Sequence, residues 1–96
     1  MTTIVQIGNS DNKLTQQEWA AFCQSVDKAV MSRTPNVYFH GFPHGGAPWQ
    51  NACWVANIED SPLLYLRADL RTIARQFRQD SIALTVGTTE FVTPTP

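Results

Sequence analysis

Apolar residues recur at intervals of three and four near the start of the chain, which predicts an amphipathic helix. Residues 15–18 fit a capping box, in which Thr15 and Glu18 each accept a hydrogen bond from a backbone N–H group. Leu14 and Trp19 fit the hydrophobic staple that often accompanies this box. The helix is expected to end at about Ser32, shortly before a proline. Its apolar positions are Trp19, Phe22, Cys23, Val26, Ala29 and Val30.

A second segment repeats this spacing in the later part of the chain. Ser61 is the predicted N-cap and Pro62 the first helical residue, where the missing N–H group of proline costs nothing. The helix is expected to run to about Arg78. Its apolar positions, which should face the core, are Leu63, Leu66, Leu70, Ile73 and Phe77.

Strands are predicted where residues alternate between apolar and polar or are rich in β-branched side chains. These segments are residues 3–7, 37–40, 51–58 and 81–86, with 90–92 as a candidate fifth strand. The order β-α-β-β-α-β favours an α+β, ferredoxin-like fold, with two helices on one face of a largely antiparallel sheet. In the third strand, we expect Cys53, Val55 and Asn57 on one face and Ala52, Trp54, Ala56 and Ile58 on the other.

Composition limits the size of the protein and the class of its partners. The chain has 96 residues, of which 43% are hydrophobic, so we expect one domain over residues 1–92 and a frayed tail over 93–96. The formal net charge is −1 and the pI is about 6.0, which counts against a general nucleic-acid binder.

The two cysteines and the N-terminus point to a reducing compartment. Cys23 and Cys53 show no zinc-binding spacing, which leaves two buried free thiols in a reducing cytosol or, as the alternative, a single disulfide. The N-terminus has neither the charge nor the apolar run of a signal peptide, and no apolar stretch is long enough to span a membrane. We therefore expect a cytoplasmic protein.

Three stretches of the chain form recognisable motifs: residues 7–19 (IGNSDNKLTQQEW), 48–54 (PWQNACW) and 78–86 (RQDSIALTV). Together they resemble small accessory proteins encoded by actinobacterial phages. The resemblance implies a protein that acts in the cytoplasm of the infected host and adjusts host physiology or defence. It supplies no catalytic residue.

Four of the seven basic residues follow one line of the second predicted helix: Arg67, Arg71, Arg75 and Arg78. They span about 80° of arc and flank the apolar stripe instead of opposing it. One interpretation is a solvated edge, with Asp69 and Asp80 pairing some of the arginines. The other is a site that holds an anion or a partner, since planar guanidinium groups suit bidentate contacts with carboxylate or phosphate.

A second candidate cluster surrounds the Gly/Pro-rich hairpin between the second and third strands. Its members are His40, His44, Trp49, Gln50, Asn51 and Trp54. Trp49 and Trp54 can stack on a planar ligand while Gln50 and Asn51 bind its edge. Alternatively, Trp54 packs in the sheet and Trp49 pins the loop to the body of the protein.

No metal, cofactor or catalytic centre is predicted. His40 and His44 are four residues apart, but the glycine and proline between them exclude a helical zinc pair, and no third ligand stands out. Asp11 follows a Gly-Asn-Ser stretch, which an Asx turn explains.

The sequence favours a non-enzymatic module that engages a host protein through a face containing the arginine line and the Trp49 loop. The alternative is a protein that sequesters a small anionic ligand, such as a nucleotide signal, with arginines on its phosphate. A small hydrolase ranks third. Homodimerisation through an edge strand is a further expectation.

Overall fold

The computed structural model describes residues 1–42 and 50–95, and it confirms the ferredoxin-like fold. The strands are β1 (Thr2–Gly8), β2 (Val37–Gly41), β3 (Asn51–Asn57) and β4 (Ala83–Gly87), and the helices are α1 (Gln16–Arg33) and α2 (Asp60–Gln76). The sheet order is β2-β3-β1-β4, with every neighbouring pair antiparallel. Strands β2 and β4 therefore form opposite edges of the sheet.

The helices cover the sheet face to which alternate residues of the central strands point. Val5 and Ile7 of β1 are buried on that face, as are Ala52, Trp54 and Ala56 of β3. The intervening residues of β3 are only half-buried, which confirms the predicted alternation of its two faces. Helix α2 contributes four leucine and isoleucine side chains to the same core, namely Leu63, Leu66, Leu70 and Ile73.

Helix α1 begins as the sequence predicts. The Thr15 hydroxyl accepts a hydrogen bond from the Glu18 N–H at 3.1 Å, and the Glu18 carboxylate accepts one from the Thr15 N–H at 3.0 Å. Leu14 and Trp19 are both buried in the core. The helix ends at Arg33, one residue beyond the predicted position.

Both ends of α2 lie two residues before the predicted positions. The N-cap is Glu59, not Ser61, and the Glu59 carbonyl accepts the first helical bond from Leu63 N–H at 3.0 Å. Pro62 thus occupies the third helical position, where its missing N–H group is still outside the helical hydrogen-bond ladder. At the other end the helix stops at Gln76, because Arg78 adopts a left-handed conformation with φ of 56°.

The remaining differences lie at the sheet edges. Strand β2 carries a β-bulge between Val37 and Phe39, so Tyr38 and Phe39 together oppose Val55. The expected fifth strand at residues 90–92 is absent from the described part of the chain, since residues 88–95 have no regular structure. Neither described helix combines the length and hydrophobicity that a membrane crossing requires.

Candidate functional site

Three of the four predicted arginines line an open groove between α2 and the edge strand β4. Arg67, Arg71 and Arg75 form its helical wall. The groove has a volume of about 490 Å³. Its apolar floor and its far end are formed by Leu70, Ala74, Gln79, Asp80, Ser81, Ile82 and Leu84. We refer to these ten residues as the arginine groove.

The guanidinium groups of the groove are not neutralised by the described part of the protein. Arg71 and Arg75 are exposed and Arg67 is half-buried. Within residues 1–42 and 50–95, none of the three forms an ion pair, and none has a side-chain hydrogen bond. Asp80 lies in the groove but pairs with none of them. The three cations are thus available to a ligand that brings its own negative charge.

Arg78, the fourth predicted member, does not belong to this groove. Its left-handed backbone takes it out of the helical line, and its Nη2 atom binds Glu18 Oε2 at 2.7 Å. The Thr15 N–H and then Arg78 lower the pKa of the Glu18 carboxyl, because both stabilise its charged form. Arg78 is therefore a structural partner of the α1 capping box.

Asp69 also differs from its expected role, because it pairs with α1 instead of with the arginine line. The Arg33 guanidinium binds it in a bidentate manner, with Nε to Oδ2 at 2.8 Å and Nη2 to Oδ1 at 3.1 Å. The hydrogen bond to Asp69 raises the pKa of Arg33. The Arg33 head also lies 5.3 Å from the centre of the Tyr65 ring, so this arginine joins the two helices.

Trp54 is a core residue and not a stacking platform. It is only 2% exposed, and its indole Nε1 donates a hydrogen bond to Asp27 Oδ1 at 2.9 Å. This contact fixes the indole beneath α1. The structural alternative for Trp54 is thus confirmed, and the ligand-stacking interpretation of this residue is wrong.

Gln50 belongs to a network of amide side chains near the start of α1. Asn9 is only 1% exposed. Its Nδ2 donates hydrogen bonds to Leu14 O at 3.0 Å and to Gln50 Oε1 at 2.8 Å. Its Oδ1 accepts a hydrogen bond from the Leu14 N–H at 2.9 Å. Gln50 and Gln16 exchange two further hydrogen bonds. Gln50 thus links the start of β3 to the start of α1 through its side-chain hydrogen bonds.

The predicted joint face is not assembled by the described residues. His40 lies exposed on β2, at the sheet edge opposite to β4 and the arginine groove. Asn51 pairs with Gly8 in the sheet, so it too is remote from the groove edge. His44 and Trp49 lie outside the described residues. Asp11 forms the expected turn, accepting from Lys13 N–H at 3.1 Å.

The cysteines are free and half-buried, where burial had been expected to be complete. Burial raises the pKa of Cys23 to about 11 and also raises the pKa of Cys53, so both thiols resist ionisation.

Among the described residues, no group of three or more His, Cys, Asp or Glu side chains could hold a metal ion.

Sequence reasoning missed Asn9 and the edge of β4. Asn9 follows a strand and precedes a polar turn, so its sequence context resembles that of any loop asparagine. The free edge of β4 was not predicted as part of a site, because the alternation of residues within a strand does not reveal the order of strands in the sheet.

No protein-family model matches the chain, and no curated protein shows significant similarity to it.

Proposed function

We propose that this protein is a non-enzymatic binding module that holds an acidic segment of a protein partner in the arginine groove. The observation that carries the proposal is the row of three unpaired guanidinium groups above an apolar floor. Arginine stems can cover apolar surface while their heads form charged hydrogen bonds, a combination that is common at the centres of interfaces.

A polypeptide suits this groove better than a small nucleotide does. No aromatic side chain lines the groove in the described part of the chain, so nothing there would stack on a base. The arginines are spread along two turns of α2 instead of converging on one point. A partner with several separated negative charges fits that arrangement.

Recognition without catalysis also suits the groove lining. It contains Ser81 and Asp80, but neither a histidine nor a cysteine among the described residues that could serve as base or nucleophile. The resemblance to phage accessory proteins would make the partner a host protein and place the complex in the host cytoplasm. That part of the proposal is supported by the resemblance alone.

Three defined anions test the proposal by calorimetry: polyglutamate, pyrophosphate and a single-stranded oligothymidylate. We expect polyglutamate to bind best, and the double variant Arg71→Gln/Arg75→Gln to weaken it about tenfold or more. Added salt should weaken wild type more than the variant, because fewer charges remain to be screened. Lys28→Gln, which removes an exposed charge from α1, serves as the control.

Each other result has a defined meaning. Tighter binding of pyrophosphate would favour the sequestering protein for a small anionic ligand, and tighter binding of the oligonucleotide would favour a nucleic-acid site. A loss of binding free energy in the double variant no more than about twice that in Lys28→Gln would show that only net charge matters, because the double variant removes two charges and the control removes one. If no anion binds at millimolar concentration, the proposal is wrong.

A further inference from the structure

We infer that the acidic segment binds as an extended fifth strand on the free edge of β4, with carboxylates at every second residue directed at the arginines of α2. This inference rests on the proposed function and adds the conformation and the charge pattern of the ligand. It identifies the partner by chemistry as an extended peptide with alternating acidic residues.

The edge strand β4 borders the arginine groove: Leu84 and the preceding Ile82 line the groove, and Val86 lines the neighbouring cavity. The only sheet neighbour of β4 among the described residues is β1, so one side of its backbone is unpaired. A short connection joins α2 to β4, and the two run antiparallel. Arg67 accordingly shares a second cavity with Val86, near the end of β4, while Arg75 lies towards the Ser81 end. A strand added to β4 would therefore lie beneath all three arginines.

The repeat distances of helix and strand agree. Arginines four residues apart on a helix are separated by about 6 Å along its axis. Alternate side chains on one face of a strand are separated by about 6.7 Å. Three carboxylates at alternate strand positions can thus each meet one guanidinium group of the row.

The groove floor also supports an extended ligand. Ile82 and Leu84 on the β4 side line the groove together with Leu70 and Ala74 of α2, and both Ile82 and Leu84 are partly buried against the core. The stems of helix-facing glutamates would cover this apolar surface. Their backbone would pair with β4, which is the mode of recognition known as β-augmentation.

The two edges of the sheet are protected differently. Edge strands are usually guarded by a charge, a proline or a bulge against unwanted pairing. Strand β2 has its bulge at Tyr38, whereas β4 has the sequence ALTVG and carries none of these devices. The arginines above the β4 edge do not prevent pairing in general, but they select the charge of the strand that pairs.

A second copy of the chain is a poor occupant for the same reason. Antiparallel pairing of two β4 edges would bring two arginine rows to one face of a continuous sheet. The positive charges of the two rows would repel each other, and β4 has no carboxylates that could offset this repulsion. An acidic strand from a different protein has no such conflict.

Synthetic peptides test the inference against the intact protein. The alternating peptide has seven residues, with three glutamates at every second position and threonine elsewhere. The block peptide has the same composition with its glutamates adjacent. We expect the alternating peptide to bind about tenfold more tightly, because only it can satisfy three arginines from one strand.

Backbone methylation then distinguishes a strand from a flexible polyanion. In an extended peptide the glutamate N–H groups point to one side and the threonine N–H groups to the other. Methylation of one set should abolish binding and methylation of the other should be tolerated. Amide hydrogen exchange should show new protection at alternate residues of β4 and nowhere on β2.

The outcomes separate the two proposals. If both acidic peptides bind equally, neither methylation matters and Arg71→Gln/Arg75→Gln still weakens binding, the groove recognises anions and the strand inference is wrong. If the alternating peptide does not bind at millimolar concentration while polyglutamate does, the strand inference is again wrong. If no acidic peptide binds, both proposals fail. Self-association through β4, detected as a dimer by sedimentation, would overturn the choice of occupant.

Discussion

Two regions of this protein use arginine and amide side chains in opposite ways. In the first, which we call the polar corner, Asn9, Gln16, Glu18, Gln50 and Arg78 form hydrogen bonds and an ion pair with one another or with nearby backbone. In the arginine groove, Arg67, Arg71 and Arg75 have no such partners among the described residues. Both regions contain arginines of the predicted second helix: Arg78 lies in the polar corner, and the other three lie in the groove.

This difference indicates that one set of residues stabilises the fold and another set is available for binding. A buried polar group that is already paired within the fold, as Asn9 is, contributes when the chain folds, and its removal leaves buried partners unsatisfied. An exposed and unpaired arginine contributes little to folding and keeps its hydrogen-bonding capacity for a ligand. Substitutions in the corner should therefore change unfolding, whereas substitutions in the groove should change binding.

The largest effect is expected beneath the polar corner, at Trp19. It is 7% exposed, and its ring packs edge to face on Phe22 with centroids 6.1 Å apart. Trp19→Ala should lower the free energy of unfolding by about 3–5 kcal/mol. Tyr65→Ala, which removes a largely exposed ring from α2, is the control and should cost about 1 kcal/mol or less. Equal denaturant midpoints for the two variants would contradict this prediction.

Asn9→Ala should have the next largest effect. The change removes three hydrogen bonds and leaves the Leu14 N–H and carbonyl groups without their buried partner. We expect a loss of about 2–4 kcal/mol in the free energy of unfolding, measured by urea titration. Asn36→Ala, on an exposed residue, should change it by less than about 0.5 kcal/mol. A similar small loss at Asn9 would mean that the corner adds no net stability.

Removal of the N-cap hydroxyl should have an intermediate effect. Thr15→Ala breaks the hydrogen bond to Glu18 N–H and should cost about 1 kcal/mol. Thr15→Ser keeps the hydroxyl and should recover most of the loss. Thermal melting of both variants makes the comparison, and failure of serine to recover stability would exclude capping as the cause.

The Glu18 carboxyl should make stability depend on pH in the acid range. Its pKa is lowered by folding from an ordinary value of 4.5, so the folded state favours the charged form. The stabilisation is complete above that ordinary value and is lost as pH falls through the lower pKa of the folded state. Glu18→Gln should therefore melt with a smaller acid-induced decrease in Tm than wild type. The control is Glu90→Gln, at an exposed residue after β4 that forms no described ion pair, and it should follow the wild-type curve. A matching curve for Glu18→Gln would contradict the assignment.

The smallest effect on folding is expected in the arginine groove itself. Arg71→Gln and Arg75→Gln should each change the free energy of unfolding by less than about 0.5 kcal/mol, since neither arginine has a described partner to lose. Differential scanning calorimetry of the double variant checks this. A large decrease in Tm with unchanged anion binding would show that the groove arginines act like those of the polar corner.

Local signals in the sequence predict the elements and one helix start well. The capping box at Thr15 depends on residues three apart, and the two faces of β3 follow from a period of two, so both can be predicted without knowledge of the fold. The predicted start of α2 lies two residues too late, because Ser61 followed by Pro62 fits the usual N-terminal pattern, whereas the observed N-cap Glu59 makes no side-chain capping hydrogen bond.

The candidate site was only partly predictable, for a different reason. The line of Arg67, Arg71 and Arg75 follows from helical spacing, but Arg78 leaves it because a non-glycine residue adopts the left-handed conformation. The partner of Asp69 is Arg33, from a distant part of the chain. Contacts of this kind depend on how α1 and α2 pack, which no local pattern specifies.

The central position of β1 has a consequence for how the chain folds. This first strand pairs with β3 on one side and with β4 on the other, so Thr2 is opposite Gly87. During synthesis β1 emerges before the other described elements, whereas its second neighbour, β4, emerges after all of them. Pairings between such distant segments close long loops and slow folding. Until β4 leaves the ribosome, one edge of the β-branched strand β1 therefore lacks its neighbour in the sheet, and an unpaired strand edge is a site for aggregation and for chaperone binding.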